Sequence, residues 1–301
     1  MTVGRKPTMR DLLHRNFWAR LPREKRRAAL FRVASLLAPR LDPQALAKQP
    51  IIVAGALRSA SGLGQSARLC YRALAATGFD VAAVDLTRGL MQRVDLPDFQ
   101  FRDGTKHQGE GTLIAHVNAP FMSLAAFLLG RRLTRGKRVV GYWAWELPQV
   151  PAEWLQGLDF VHDIWVPSRF AAEAVRPISQ GRDVYILPHP IGVDAAAPVR
   201  RGGPSGSAFN VLTFCNAASS VARKNPLAAV TAFRRAFGDG CDARLVVKGS
   251  NLNAHPQVRE SVGPCAPVHT YLIRCGGRLQ TICMHLASVP PDEAATWGRD
   301  A

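Results

Sequence analysis

Ile51-Ile-Val-Ala-Gly55-Ala-Leu-Arg-Ser-Ala-Ser61-Gly62-Leu-Gly64-Gln-Ser-Ala-Arg68 decides how the chain folds. An apolar run is followed by a loop closed by two glycines, and then by an amphipathic helical pattern carrying Leu69 and Leu74. That order reads as strand, tight turn, helix. Glycines at 62 and 64 leave room for close backbone approach, and the helix start behind them offers N–H groups and the positive end of its dipole. Such a turn suits a phosphate or diphosphate. Its simpler alternative is a strand-to-helix turn with no ligand.

The pattern repeats outward from this point. Asp80–Leu86, Thr112–Val117, Arg138–Trp143, Ile164–Val166 and Val184–Leu187 read as short strands without strict alternation. Helical stretches fall between them: Leu63–Thr77, an apolar run through Phe127, a segment near Ala152–Leu158, and one capped by Ser168 and running to Val175. Strands apolar on both faces and alternating with helices imply a buried parallel sheet. After a Gly/Pro/Ser-rich stretch at 196–207 a second βαβ begins with Phe209–Phe214, Leu227–Phe237 and Ala243–Lys248. The expected organisation is a basic helical segment 1–48, a Rossmann-like α/β domain 49–207, a partial α/β domain 208–254 and an irregular tail 255–301. From about residue 255 the periodicity stops, and the tail reads as foreign, as a frameshift or rearrangement produces.

Composition bounds the partners. The chain has 301 residues and a formal net charge of +17. About half of that excess lies in the first 50 residues, where Arg5, Lys6, Arg10, Arg15, Arg20, Arg23, Lys25, Arg26, Arg27 and Arg32 face only Asp11, Glu24 and Asp42. A polyanion, an anionic membrane surface or a phosphorylated substrate is the implied partner class. Leu30, Phe31, Val33, Ala34, Leu36 and Leu37 make an apolar stripe over Arg23–Leu41. It reads as a helix packing on the domain or as one lying on anionic lipid. The six cysteines form no C-x-x-C pair, and Cys265, Cys275, Cys283, His269 and His285 fit no standard zinc spacing. No secretory signal opens the sequence and no apolar run reaches membrane-spanning length, so a cytoplasmic protein, with peripheral contact to the inner membrane face, is expected.

Two standard glycine-loop chemistries fail. A P-loop requires Lys and a hydroxyl after its last glycine, whereas Gln65 and Ser66 follow Gly64. A dinucleotide fingerprint requires a third glycine near Arg68; Asp85 ends the next strand as a ribose-binding acid does, but lacks that fingerprint. A second anion-type cluster is Ser219-Ser-Val-Ala-Arg223-Lys224-Asn225-Pro226. Two cations at a helix start oppose the dipole there, a conflict that an anionic ligand removes. A solvated basic loop is the plainer reading.

Taken together, Ser61-Gly-Leu-Gly64 and Arg223-Lys224-Asn225-Pro226 resemble the glycine loop and donor-phosphate segment of the nucleotide-sugar glycosyltransferases of family 4. Gly141-Tyr-Trp-Ala-Trp-Glu146-Leu-Pro and Trp165-Val-Pro-Ser-Arg-Phe170 are similar to stretches of its bacterial members. The resemblance covers roughly residues 50–250. It implies an α/β, GT-B-like fold of two Rossmann-like domains, the second incomplete. It also implies transfer of a sugar from a nucleotide-sugar donor to a glycan or lipid-linked acceptor, retaining, with no metal and no cofactor. Gly62, Leu63, Gly64, Arg223, Lys224 and Asn225 become the donor-binding residues. His116 or Asn118 takes the place that faces the sugar, and Glu146 the acceptor side. The family's E-x7-E is missing: after Arg223 the only glutamates are Glu260 and Glu293. Weak or absent transfer is therefore expected. The alternative is a non-catalytic basic protein docking on nucleic acid or membrane through residues 1–40, although no specific nucleic acid is expected; a Rossmann oxidoreductase is a third possibility.

Overall fold

The computed structural model describes residues 22–191, 209–216, 221–237, 243–250 and 268–274. The chain divides into two compact units, Met1–Val193 and Asp194–Ala301.

The first unit carries helix α1 (Arg23–Leu37) and then β1 (Ile51–Gly55), α2 (Gly62–Ala76), β2 (Val81–Asp85), β3 (Gly111–His116), α3 (Met122–Thr134), β4 (Lys137–Tyr142), β5 (Asp163–Val166), α4 (Arg169–Val175) and β6 (Val184–Ile186). The six strands form one parallel sheet in the order β2-β1-β3-β4-β5-β6. Strand residues of alternate parity bury on opposite faces. Ile52, Ala54, Leu113, Ala115 and Val139 meet α1, α3 and α4 on one face, and Val53, Ala83, Ile114 and Val140 meet Ala67 and Cys70 of α2 on the other. Both faces are covered, which is why the strands read as continuous apolar runs rather than alternating ones. The outer edge of β2 is partly closed by Arg102–Gly104: Ala83 donates to the Arg102 carbonyl and accepts from the Gly104 amide, both at 2.8 Å.

Local chemistry fixes the helix ends. The Ser61 hydroxyl caps α2 by accepting from the Gly64 amide, and the Ser168 hydroxyl caps α4 by accepting from the Ala171 amide. Within α3, Gly130 takes φ of 71°, which breaks regular helix near the end of the apolar run. The segment Ala152–Phe160 is 3₁₀ rather than α-helical. Its tight approach to the β3–α3 connection accounts for that, since a Cβ on Gly157 would lie 2.5 Å from the Ala119 carbonyl oxygen. Arg138 of β4 grips the Asp163 carboxylate of β5 through Nε and Nη2, at 2.5 and 2.6 Å.

α1 packs as a surface helix. Ala34 and Ala38 are buried, Leu30 and Phe31 sit against the core, and the Phe31 ring meets Phe121 edge-on at 5.0 Å. Val33, Leu36 and Leu37 remain exposed. The residues before Pro22 lie outside the described residues.

In the second unit, β7 (Phe209–Asn216) pairs in parallel with β8 (Ala243–Ser250), and β9 (Val268–Arg274) pairs antiparallel with β8. Helices α5 (Val221–Lys224) and α6 (Pro226–Phe237) lie between β7 and β8 in the chain. Val230 and Phe233 of α6 are buried with Ala243, Leu245 and Val247 of β8. Leu212 and Phe214 are exposed. β9 corrects the expectation of an irregular tail for seven of its residues: Val-His-Thr-Tyr-Leu-Ile-Arg is strand-forming, and its antiparallel direction departs from the βαβ pattern before it. The remaining tail residues, with Cys265, Cys275, Cys283 and His285, lie outside the described residues, as does the stretch 196–207.

Candidate functional site

In an open parallel sheet, neighbouring loops part where strand order reverses, leaving a crevice at the carboxyl ends of the strands. Here that point lies between β1 and β3, because the chain leaves β1 toward β2 on one side and later returns to β3 on the other. Asp85, Gly55 and His116 stand side by side in register at that end of β2, β1 and β3.

The glycine loop rises from Gly55 and is held by its own side chains. The buried Arg68 guanidinium donates from Nη1 to the carbonyls of Leu57 and Ser59, both at 2.7 Å, and from Nη2 to Gln65 Oε1 at 2.7 Å. Asp95 accepts from the Ala60 amide at 2.9 Å. The Arg58 amide donates to Thr87 Oγ1 at 3.0 Å, and the Asp85 carboxylate accepts from the Thr87 amide and hydroxyl. Asp85 thus organises the loop. The two glycines differ. A Cβ on Gly64 would lie 2.5 Å from the Ala56 carbonyl oxygen and 2.6 Å from that of Ser59, so Gly64 is required by the loop's own backbone. A Cβ on Gly62 would meet nothing within 4 Å. The Gly64 amide is capped by Ser61, and among the described residues the amides of Gly62 and Leu63 have no acceptor. Two amides at a helix start are therefore free to meet an anion.

His116 is 1% exposed. Its Nδ1 lies 2.8 Å from Ser66 Oγ, and its ring stacks on Tyr142 with centroids 4.5 Å apart. Ser66 Oγ is also 3.2 Å from His189 Nδ1. The Tyr142 hydroxyl donates to the Leu187 carbonyl at 2.7 Å and lies 3.1 Å from His189 Nδ1. Burial pushes the His116 imidazole down to about 3, and nearby His189 adds to the shift. Burial also lowers His189 and raises Tyr142, and it pushes the neighbouring Cys70 thiol up to about 12. The cluster is thus neutral at physiological pH. His116 Nε2 is buried without a hydrogen-bond partner among the described residues, so an oxygen ligand reaches it only if the groups that cover it shift.

Asn118 holds the neighbouring loop: its Nδ2 donates to the Ala144 carbonyl and its Oδ1 accepts from the Ala144 amide, both at 2.9 Å. Glu146 lies two residues further on and is exposed. Trp143 and Trp145 pack on Trp154, in or against the core. The fold therefore brings Gly62, Leu63, Gly64 and His116 to one end of the sheet, and sets Asn118 and Glu146 on the linked loops after β3 and β4.

Arg223, Lys224 and Asn225 belong to the second unit and are exposed. Asn225 takes φ of 41° and its Oδ1 accepts from the Ala228 amide at 3.2 Å, which caps α6 behind Pro226.

Set beside models of known protein families and beside curated proteins, the chain matches none. Ser66, Arg68 and His189 are absent from the sequence-derived site. The signal for His189 was its place in Leu187-Pro-His-Pro190, directly after a strand whose carboxyl end faces the same side as β1 and β3. Ser66 and Arg68 lie one turn into α2, where only helix phase relative to the sheet shows which way they point. Among the described residues, no three His, Cys, Asp or Glu side chains gather as a metal site, and no helix is long and apolar enough to cross a membrane.

Proposed function

We propose that this chain is a nucleotide-sugar-dependent glycosyltransferase of GT-B type, acting on a glycan or lipid-linked hydroxyl with retention and without a metal. One observation carries the reading. The free amides of Gly62 and Leu63 stand at the strand-order reversal, at the same sheet end as His116. Fixed amides stabilise charge as it grows on a departing diphosphate, each worth about 3 kcal/mol in enzymes where one has been removed. In this reading the cations Arg223 and Lys224 of the second unit are donor-binding residues, and Glu146 serves the acceptor. The sequence lacks E-x7-E after Arg223, so donor binding is expected with slow transfer. UDP-, GDP- and ADP-sugars titrated into the full chain provide the test. A rise in Tm with one of them, lost in Arg223→Ala/Lys224→Ala, supports the reading; no shift with any donor overturns it.

A second reading, adsorption to anionic membrane, is favoured by α1. Leu36 is 76% and Leu37 65% exposed, with Arg32 and Arg40 exposed on the same stretch. Apolar side chains flanked by arginines suit an interface between headgroups and acyl chains. Cosedimentation with phosphatidylglycerol vesicles but not phosphatidylcholine vesicles, weakened by Leu36→Glu/Leu37→Glu, is the expected result. Equal binding to both lipids counts against it.

A further inference from the structure

Hydrogen counting around Ser66 assigns a protonation form to His116. The Leu187 carbonyl can only accept, and it lies 2.7 Å from the Tyr142 hydroxyl, so the single Tyr142 proton points there. The 3.1 Å contact between Tyr142 Oη and His189 Nδ1 then requires a proton on the histidine nitrogen. His189 Nδ1–H is shared with Ser66 Oγ, 3.2 Å away, and the nearest side-chain acceptor for the Ser66 proton is His116 Nδ1 at 2.8 Å, closer than the Tyr142 oxygen that Ser66 also faces. The Tyr142 and Ser66 protons then have one acceptor each, and His189 Nδ1–H bridges two oxygens. The reverse order sets the Tyr142 oxygen against the Leu187 carbonyl with no proton between them, a contact that buried groups avoid.

We infer that Ser66 and His189 are positioning residues that hold His116 as the neutral Nε2–H tautomer, with its free nitrogen a hydrogen-bond donor and never a base. The direction of the chain from His189 through Ser66 to His116 is set at the strap Leu187–His189, which follows β6. His116 is thereby suited to an uncharged acceptor oxygen, such as a sugar hydroxyl, and unsuited to deprotonating one. The tautomer assignment stands apart from the transferase reading, whereas the identity of the acceptor oxygen rests on it.

Long-range ¹H–¹⁵N correlation spectra of the full chain labelled at histidine read the tautomer directly. At about pH 7, His116 is expected as a single Nε2–H species in the parent protein. Ser66→Ala and His189→Phe should each add a second, Nδ1–H set of ring shifts, and Ser66→Thr should restore the parent pattern. A Nδ1–H or doubly protonated His116 in the parent overturns the assignment, as does a Ser66→Ala spectrum identical to it. Should Ser66→Ala fail to fold by circular dichroism, His189→Phe and the parent spectrum decide alone. In the same samples, Ser66→Ala should weaken nucleotide-sugar affinity by roughly 3- to 10-fold, the loss of one well-placed neutral hydrogen bond. If no nucleotide sugar binds the parent, the transferase reading fails while the spectrum still judges the tautomer.

Discussion

A histidine buried in the neutral form makes stability depend on pH with a definite sign. In the unfolded chain His116 titrates near the ordinary value of about 6.5, while in the fold burial holds it near 3. Between those values the unfolded state binds a proton that the folded state refuses. The stabilisation is whole above about pH 6.5 and falls by about 1.4 kcal/mol for each unit of pH below that, down to the folded value. His189 is lowered by burial too and acts in the same direction. His116→Gln should therefore flatten the acid side of the profile: urea midpoints measured from pH 7 to pH 5 should converge on those of the parent as pH falls. Parallel profiles would show that His116 is not buried neutral. Arg68 acts by geometry. Its fork closes two loop carbonyls and the Gln65 amide oxygen at once. Arg68→Met leaves them unpaired, at a cost of about 3 kcal/mol by chemical denaturation. Arg68→Lys should recover only part of that, because a point charge cannot span the same acceptors.

Among the elements, the glycine loop separates a structural requirement from a functional one. Gly64→Ala forces a methyl against the carbonyls of Ala56 and Ser59 and should cost about 2 kcal/mol or more. Gly62→Ala enters open space and should leave stability within about 0.5 kcal/mol. If a diphosphate sits on the free amides, Gly62→Ala should still raise the nucleotide-sugar Kd several-fold. An unchanged Kd would move the donor elsewhere. The alternation of β1, α2, β2 and β3 was legible because each strand is apolar on both faces and each turn carries a breaker: Gly62 and Gly64 after β1, Gly78 after α2. Ser168 marked the start of α4 for the same local reason, a hydroxyl that caps the first turn. The 3₁₀ form of Ala152–Phe160 was not legible, since it depends on contact between Gly157 and Ala119, far away in sequence. At the site, Gly62 and His116 stood out by residue type. The Ser66–His189 link joins residues 123 positions apart and exists only once β6 is placed in the sheet. Asn225 shows the opposite limit: its motif suggested a ligand contact, yet within its unit its side chain caps α6.

Over the whole molecule, charge and bare apolar surface pull solubility in opposite directions. A net charge of +17 keeps copies apart through self-repulsion. Against it stand exposed residues in each unit: Leu36 and Leu37 on α1, and Leu212 and Phe214 on β7, where Phe214 is 75% exposed. Parallel strands are ordinarily covered on both faces, so apolar side chains left open on β7 favour association. Salt decides between the two. Raising it shortens the screening length from about 10 Å at 0.1 M to about 3 Å at 1 M, which removes repulsion while leaving apolar attraction intact. Light scattering of the full chain should therefore show apparent mass rising with salt. Leu212→Thr/Phe214→Thr, which keeps strand-forming residues, should suppress the rise. Binding to anionic vesicles should respond in the reverse sense and weaken as salt rises, because attraction between unlike charges is screened by the same ions. A mass that falls with salt would mean that charged contacts join the copies, and the exposed faces of α1 and β7 would then have no part in association.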